Sequence, residues 1–339
     1  MEFGFELQVC QWAEHHWPPK RERSSPVIVA RQLGTKHRRW DTVIIECEQQ
    51  GLDARAQFGS RRLDSDLLGV VRAAPAEWAW YRDAVPEPAY PWRYVREAVN
   101  RAADRGLIAR RVRGGRVELK RRWRYPEWVS RIIAIENKPD MDASAARDLV
   151  GQLERDIALS LADEVWVATA ASEKTAVLLG DAPVEAGVLT FERGERGERA
   201  ATVVWQPRTL DAEGVGTRIR DRPTGKRHDR SGATFEYVDA DWKATKRLEI
   251  AERAYERGWR SYLDSMRPDC RYFHLQPTTA VSRPFCTAKN RPQSARECSG
   301  SCPKFEPEPP TWRQQGWPLD GGPGRCVKRL LREQRARRR

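Results

Sequence analysis

The sequence predicts a fold that contains both helices and strands (α/β, more closely α+β). In it, a mixed β-sheet is flanked by helices. Two apolar runs around a polar turn, 25–33 and 40–48, predict a first hairpin. A buried strand at 131–135, a helix at 143–161 and a second buried strand at 164–170 follow later. Strand, helix, strand in this order indicates a parallel pair joined by a crossover.

Composition limits the function classes. The 339 residues are 40% hydrophobic and 32% charged, which is typical of a folded protein of two or three domains. No apolar run reaches the ~18 residues of a membrane span, so we expect a cytoplasmic protein whose seven cysteines are reduced thiols or metal ligands. The net charge of +13 favours a polyanionic partner, DNA first and RNA as an alternative, over a membrane surface.

The elements divide the chain into six segments. A helix at 2–16 opens the first segment, and a final hairpin at 187–192 and 200–206 closes the core. The predicted domains are a core (1–59 with 126–207), a winged-helix-like insert (60–125), a linker (208–238), a connecting helix (239–267), a four-cysteine module (268–305) and a Pro/Gly-rich and basic tail (306–339). The sequence does not set the oligomeric state, and a homodimer is compatible with it.

The insert has helices predicted at 65–73, 75–83 and 92–105, followed by a basic hairpin around Gly114-Gly115. This order describes a winged helix-turn-helix, in which a helix enters the major groove and a wing follows the backbone. The candidate DNA contacts are Arg93, Arg96, Asn100 and Arg101 of the helix and Arg110, Arg111, Arg113 and Arg116 of the hairpin. The alternative is a protein-binding or bracing module whose Arg-rich face is only solvated.

Three residues form the candidate active site. Asp41 lies at the start of the second strand, and Glu136 and Lys138 follow the buried run 132–135 on one strand face. Two carboxylates on adjacent strands can hold Mg²⁺ (or Mn²⁺), which lowers the pKa of a bound water and bridges to phosphate. A nearby Lys stabilises the developing negative charge or orients the water. The trio therefore predicts metal-dependent phosphodiester hydrolysis, with Asp41 and Glu136 as ligands.

Trp40-Asp41-Thr42-Val43 and Glu136-Asn137-Lys138, in this order of strands and helices, resemble the PD-(D/E)XK nuclease superfamily with its restriction-endonuclease-like fold. The resemblance covers roughly residues 1–206 without the insert and implies a Mg²⁺-dependent nuclease. It also implies a Gln on the next helix, which is Gln152. A resemblance to an uncharacterised archaeal family adds no function.

The same resemblance implies a Glu on the first helix, where Glu6 is the first choice and Glu14 the second. The 95 positions between Asp41 and Glu136 exceed the usual core, and the insert accounts for them. Glu46-Cys47-Glu48 mimics the motif but lacks the lysine; we prefer 136–138 because a helix and a parallel strand follow it. Since Glu-x-Lys alone is common, an ordinary surface pair at a strand end is the alternative interpretation.

Cys270, Cys286, Cys298 and Cys302 fall in a segment with few apolar residues, which suggests a metal that holds the fold together. Zn²⁺ is the first choice, an iron–sulfur cluster the second, and free thiols the third. Some nucleases of the superfamily carry a four-cysteine cluster, but their first cysteine usually precedes the core, whereas here all four follow it. His274 is a spare ligand candidate, Cys10 and Cys47 are expected to be buried, and Cys326 is unassigned.

The leading hypothesis is a Mg²⁺-dependent deoxyribonuclease acting in repair, recombination or defence. A non-catalytic DNA-binding protein with a degenerate nuclease fold, or an RNA-processing nuclease, are the alternatives. No G-x-x-x-x-G-K-[ST] loop is present, so we expect any ATP-driven motor to be a partner. Cleavage specificity is not encoded in a recognisable motif.

Overall fold

The computed structural model describes residues 2–19, 25–139, 143–170, 182–192, 201–221, 233–259, 270, 272–277, 282–293, 298 and 302–305. Two compact units divide the chain: a sheet unit, Met1–Glu46 with Arg131–Arg339, and an insert unit, Cys47–Ser130.

The described elements of the sheet unit, some of which begin or end at the unit boundary, are α1 (Glu2–His16), β1 (Val27–Gly34), β2 (Arg39–Cys47), β6 (Val129–Asn137), α6 (Ala143–Leu159), β7 (Glu164–Ala170), β8 (Gly187–Phe191), β9 (Ala201–Trp205), β10 (Gly216–Asp221), β11 (Thr234–Val238), α7 (Ala240–Arg257), β12 (Phe273–Pro277), β13 (Ser282–Cys286) and β14 (Arg291–Pro292). Those of the insert unit are α2 (Gln49–Arg55), a 3₁₀ turn (Ala56–Phe58), α3 (Ser65–Ala73), β3 (Ala79–Trp80), α4 (Tyr81–Ala84), α5 (Trp92–Asp104), β4 (Ile108–Arg113) and β5 (Arg116–Arg121).

A six-stranded sheet of order β1-β2-β6-β7-β8-β9 forms the centre of the sheet unit. The β1–β2 and β8–β9 pairs are antiparallel, whereas β6, β7 and β8 run parallel. Helices α1 and α7 contact β1, and α6 contacts β7. The predicted mixed α/β architecture, a large mixed sheet flanked by helices, is therefore confirmed.

The central strands are buried on both faces, as their continuous apolar runs predict. Residues 132–135 of β6 and 165–168 of β7 are all buried. An aromatic cluster fills the space between α1 and the sheet. Trp12 and Phe5 each meet Phe191 edge-on, with ring centroids 5.3 and 5.6 Å apart, and Trp17 meets Trp166 at 5.7 Å. Fully burying such large side chains stabilises the fold by roughly 2–3 kcal/mol each.

The insert unit packs α3 and α5 together and carries a three-stranded sheet of order β3-β5-β4. Apolar residues of α5 at helical spacing, including Val95, Ala98, Val99 and Ala102, form the buried face of that helix. The helix predicted at 75–83 is corrected: only Tyr81–Ala84 is helical there. The residues before it form β3, whose two residues pair with Leu119 and Glu118 of β5.

Two segments that follow the large sheet in the chain differ from their predicted structure. Residues 208–238, expected to be a linker, contain the antiparallel pair β10–β11. The connecting helix predicted at 239–267 is α7, which begins behind an Asp239 cap that accepts from the Trp242 N–H at 2.7 Å. It ends at Arg257. The next residue, Gly258, has a φ of 60°, a left-handed conformation that commonly ends helices and that glycine adopts easily. Residues 260–269 lie outside the described part.

The described C-terminal residues form the small sheet β12-β13-β14. The predicted tail at 306–339, with Cys326, lies outside the described residues. Among the helices that the structure describes, none is long and apolar enough to span a membrane.

Candidate active site

Asp41 and Glu136 lie on neighbouring strands, β2 and β6, in the middle of the large sheet. The Asn137 backbone N–H donates to Asp41 Oδ2 at 3.0 Å, which fixes the Asp41 carboxylate beside the end of β6. Glu136 is only 3% exposed, whereas Asp41 is half-buried. The Asn137 side chain is buried and donates to Thr42 Oγ1 at 2.9 Å. The structure thus brings the two predicted carboxylates to one place on the sheet.

Glu6 of α1 joins this group through a residue that the sequence did not indicate. The Gln32 amide Nε2 donates to Glu6 Oε1 at 3.1 Å and to Asp41 Oδ1 at 3.2 Å. Arg31 adds a salt bridge to Glu6 at 2.9 Å. Glu14, the second choice on this helix, is half-buried. Of the two glutamates, Glu6 is the one that the described hydrogen bonds connect to Asp41.

The backbone at Gln32 explains how its amide reaches both carboxylates. Gln32 has a φ of 54°, in the left-handed region that residues other than glycine rarely adopt. Arg31 pairs with Thr42 and Leu33 with Trp40, so Gln32 stands opposite Asp41 without a regular ladder pair. Strained backbone of this kind costs about 1–3 kcal/mol and persists where the surroundings impose it.

A second residue missed by the sequence argument, Arg38, lies between Glu136 and Asp156. Arg38 Nη2 donates to Glu136 Oε1 at 2.5 Å, and its Nε and Nη2 donate to the two oxygens of Asp156 at 2.6 Å each. Trp40 Nε1 also donates to Asp156, at 2.9 Å. Asp156 is fully buried and Arg38 is 8% exposed. Arg38 therefore supplies a cation that pairs with Glu136.

The helix α6 carries both Gln152 and Asp156. Residues four apart lie on the same side of a helix, so Gln152, which is half-buried, and Asp156 share a face. Lys138 follows β6; its backbone N–H donates to the Ala168 carbonyl at 2.8 Å, and its side chain is half-buried. The sequence contained a signal for Asp156, since a carboxylate between the apolar Leu153 and Ile157 on that face calls for a buried partner.

Carboxylates outnumber guanidiniums in the hydrogen-bonded network of Glu6, Asp41, Glu136 and Asp156 with Arg31 and Arg38. With every group ionised, the carboxylates of Glu6, Asp41, Glu136 and Asp156 and the guanidiniums of Arg31 and Arg38 sum to a formal −2. Burial raises the pKa of Glu136 to about 8; Arg38 opposes this rise, whereas Asp41 and Asp156 add to it. Burial lowers the pKa of Arg38, but Asp156 and Glu136 outweigh burial and raise it overall.

In the described part of the chain, no three or more His, Cys, Asp or Glu side chains already stand together as a metal-ligand set. The donor chemistry nevertheless suits a hard divalent cation. Asp41 and Glu136 present carboxylate oxygens, and a dication would cancel the excess charge of the network. The residues present therefore fit Mg²⁺ or Mn²⁺ in charge and in ligand type.

The alternative motif Glu46-Cys47-Glu48 has other contacts. In the sheet unit, Glu46 accepts from Trp17 Nε1 at 2.8 Å and lies 3.6 Å from Arg131. In the insert unit, Glu48 caps α2 by accepting from the Gly51 N–H. These contacts give both carboxylates structural roles.

The predicted nucleic-acid residues of the insert unit fall into three groups. Arg101 is held by Asp64 and Asp66 at 3.2 and 3.1 Å, and the Asn100 Oδ1 is buried and accepts no described hydrogen bond. Three arginines lie over aromatic rings, and three others are exposed. The stacked ones are Arg93 over Tyr94 (4.7 Å), Arg111 over Trp78 (4.4 Å) and Arg116 over Trp80 (4.9 Å), and the exposed ones are Arg96, Arg110 and Arg113.

Positive charge concentrates on the β4–β5 hairpin and the residues after it. Residues 108–124 contain eight Lys or Arg and one acidic residue, Glu118, whose partner is Arg111 at 2.6 Å. Helix α5 instead mixes signs, since Glu97 and Asp104 accompany its arginines. The hairpin is the more basic of the two predicted contact surfaces.

Comparison with known families matches residues 28–307 to DUF5787, a family of unknown function. The chain belongs to this family. The matched range contains Asp41, Glu136, Lys138 and the four C-terminal cysteines, whereas Glu6 precedes it. No curated protein and no solved structure matches the chain.

The remaining predicted residues are the cysteines. Cys270, Cys286, Cys298 and Cys302 line one pocket in the C-terminal part. Cys10 and Cys47 are buried as expected, and burial raises the pKa of the Cys10 thiol to about 12, which makes it unreactive near neutral pH. His274 lies on β12, opposite Phe285 in the strand register.

Proposed function

We propose that this protein is a divalent-metal-dependent nuclease that hydrolyses phosphodiester bonds in DNA. The observation that carries the proposal is the Asp41–Glu136 pair on adjacent strands of the large sheet, where Gln32 and the Asn137 N–H hold the Asp41 carboxylate. Two carboxylates held at one place in a largely buried sheet favour a cation-binding role. A phosphodiesterase uses such a cation.

The order of elements supports the same proposal. The chain runs from α1 through the antiparallel β1–β2 pair to β6, then through α6 to the parallel strand β7. Asp41 is near the start of β2 and Glu136 near the end of β6, as the resemblance to PD-(D/E)XK nucleases leads us to expect. The family assignment is neutral on this point because DUF5787 has no known function.

Asp41 and Glu136 are the residues that would hold the metal. When bound, Mg²⁺ or Mn²⁺ would polarise the phosphoryl oxygen and lower the pKa of a bound water. Gln32 and the Asn137 N–H fix the Asp41 carboxylate through 3.2 and 3.0 Å hydrogen bonds, which holds its oxygens in place before substrate arrives. Lys138 is our candidate for stabilising negative charge on the phosphate, and Gln152 for orienting the attacking water.

The insert unit supports nucleic acid as the partner. Its order α3-β3-α4-α5-β4-β5, with β5 between β3 and β4, fits the proposed winged helix, in which β4–β5 is the wing. The excess of positive charge in 108–124 suits contact with the phosphate backbone. Because Arg101 is already paired and α5 carries acidic residues, we assign the larger share of binding to the hairpin.

One observation favours the non-catalytic alternative. The Arg38 guanidinium pairs with Glu136 at 2.5 Å, so the network contains a cation of its own beside the proposed metal ligand. An internal arginine could hold a degenerate site together without any metal. A DNA-binding protein that has lost catalysis is therefore the second candidate.

A cleavage assay tests both candidates. Purified protein is incubated with linear, nicked, branched and single-stranded DNA and with RNA, in Mg²⁺ or Mn²⁺. We expect DNA cleavage that is lost in Asp41→Asn, Glu136→Gln and Lys138→Ala. The matched control is Glu154→Gln, which removes an exposed carboxylate on α6 and should cleave normally.

The outcomes are distinct. Cleavage that persists in all three site variants contradicts the assignment. Salt-dependent DNA binding with no metal-dependent cleavage supports the non-catalytic alternative, and cleavage confined to RNA identifies an RNA-processing enzyme.

A further inference from the structure

The four C-terminal cysteines line one pocket although 32 positions separate the first from the last. Cys270 comes before β12, Cys286 ends β13, and Cys298 and Cys302 follow β14. All four line one pocket, together with Phe273, Lys289, Gln293, Lys304 and Phe305. Cys270 is buried and the other three are half-buried.

Two of the cysteines open the same kind of turn. The Phe273 N–H donates to the Cys270 carbonyl at 3.0 Å, and the Phe305 N–H donates to the Cys302 carbonyl at 3.0 Å. Each Cys-x-x-Phe stretch is thus a tight turn whose cysteine and phenylalanine both face the pocket. The repetition indicates two equivalent supports for two cysteine side chains.

The other contacts tie these turns to the third cysteine. Cys286 pairs with Phe273 in the β12–β13 ladder, so the hairpin sets it beside the first turn. Lys304 Nζ of the second turn donates to the carbonyl of Ala288, two residues after Cys286, at 3.0 Å. Three of the four cysteines are therefore held in one region by backbone hydrogen bonds and by the Lys304 side chain.

Among its described residues, this segment has a small apolar core. Its buried core consists of Cys270 and Phe273, with Tyr272, Cys298 and Phe305 packed against them. The described strands are short, with five, five and two residues. A metal bound by thiolates is a common way to stabilise short strands of this kind. Lys289 and Lys304 line the pocket, and their two positive charges would balance the −2 of one Zn²⁺ with four thiolates.

We propose that Cys270, Cys286, Cys298 and Cys302 bind one Zn²⁺ tetrahedrally and that this ion stabilises the segment that carries them. Four thiolates complete the tetrahedral shell of zinc and leave no open position, as in a structural site. An iron–sulfur cluster on the same four cysteines is the competing outcome, which metal analysis distinguishes. Zinc binding here is independent of the nuclease proposal, since Asp41 and Glu136 take no part in it.

Metal analysis of the full chain tests the proposal. Protein expressed with zinc and iron both supplied should contain about one zinc per chain and negligible iron. Replacing the zinc with Co²⁺ should produce the intense visible absorption of tetrahedral cobalt thiolate. Cys270→Ser and Cys302→Ser should each lose this absorption and the bound zinc. The matched control is Cys10→Ser, which alters a buried cysteine of the large sheet unit core and should keep both.

Wild-type protein provides the readout if the variants fold poorly. Removing zinc with a chelator should open the C-terminal segment to protease, while the central sheet stays resistant and zinc addition restores protection. Iron with inorganic sulfide at this site, or a metal-free segment that resists protease equally well, would overturn the proposal. The same zinc content in Glu136→Gln separates this result from any failure of the nuclease assay.

Discussion

Arg38 and Asp156 are joined by two hydrogen bonds of 2.6 Å, although 118 positions separate them in the chain. Asp156 is fully buried and Arg38 nearly so. The pair connects the turn before β2 to the helix α6, and through Arg38 it reaches Glu136. A structural ion pair thus lies next to the proposed metal ligands.

Breaking this pair from one side should be costly. Arg38→Met leaves the Asp156 and Glu136 carboxylates buried without their cation, and we expect a loss of about 3–5 kcal/mol in the free energy of unfolding. The double variant Arg38→Met/Asp156→Leu should lose less than the sum of the single variants, because Asp156 is then no longer a buried charge without its cation and only Glu136 remains so. Urea unfolding followed by circular dichroism measures each value.

The control for this double-mutant cycle is Arg208→Met. This variant removes an exposed arginine that lies 3.9 Å from Glu185 in the sheet unit. It should change the free energy by at most about 1 kcal/mol. Strict additivity of the Arg38 and Asp156 variants would show that the pair carries no coupling energy.

The sequence predicted the parts of the fold that local pattern controls. The runs at 132–135 and 165–168 are apolar without interruption, which is enough to predict strands buried on both faces. Strand β3 was missed because its two residues become a strand only through pairing with β5, a partner about 40 positions away. Pairing over such distances leaves no local pattern.

The candidate site was also predicted only in part. Asp41 and Glu136 stand in recognisable strand contexts, whereas Arg38 lies in a polar turn that resembles solvent-exposed sequence. Gln32 was invisible for a different reason: its role depends on a φ of 54°, which no sequence pattern around it demands. Both residues act through geometry that only the assembled sheet creates.

The left-handed backbone at Gln32 leads to a second prediction. Both Gln32→Ala and Gln32→Gly remove the amide that bridges Glu6 and Asp41, but only glycine adopts this φ without strain. We therefore expect Gln32→Gly to be more stable than Gln32→Ala by about 1 kcal/mol in thermal or urea unfolding. Equal stability of the two variants, or the reverse order, would contradict the strained backbone.

Glycines of the insert unit supply a matched pair of tests. A Cβ on Gly51 would lie 2.1 Å from the Glu127 carbonyl oxygen and 2.8 Å from the Trp128 Cα, both backbone atoms that cannot yield cheaply. Gly51→Ala should destabilise the unit by about 1–3 kcal/mol. Gly69, in the exposed part of α3, has nothing within 4 Å of its Cβ position, so Gly69→Ala should stabilise by about 0.8–1 kcal/mol.

Hydrogen exchange of peptides from Cys47–Ser130 measures both effects in the unit concerned. Faster exchange in Gly51→Ala and slower exchange in Gly69→Ala is the expected result. A neutral Gly51→Ala would mean that α2 can move away from residues 127–128.

Divalent cations should stabilise the protein if Asp41 and Glu136 bind them. A ligand at about 100 times its dissociation constant adds ~2.7 kcal/mol to the free energy of unfolding. We expect Mg²⁺ or Mn²⁺ to raise the unfolding midpoint of the wild type and of Glu154→Gln, and to have little effect on Asp41→Asn or Glu136→Gln. Differential scanning fluorimetry with and without the ion provides the comparison, and an equal rise in all four proteins would place the binding elsewhere.

The uneven charge of the insert unit leads to the last prediction. Arg110 and Arg113 are exposed on the β4–β5 hairpin, so each can meet a phosphate, whereas Arg101 is held by Asp64 and Asp66. Removing one positive side chain that contacts a phosphate reduces the magnitude of the slope of log affinity against log salt concentration by about one. Arg110→Ala and Arg113→Ala should therefore each reduce the salt slope of DNA binding by about one, and Arg101→Ala should change it much less. Fluorescence anisotropy across a salt series measures the slopes; a larger change for Arg101→Ala than for the hairpin variants would move the contact surface back to α5.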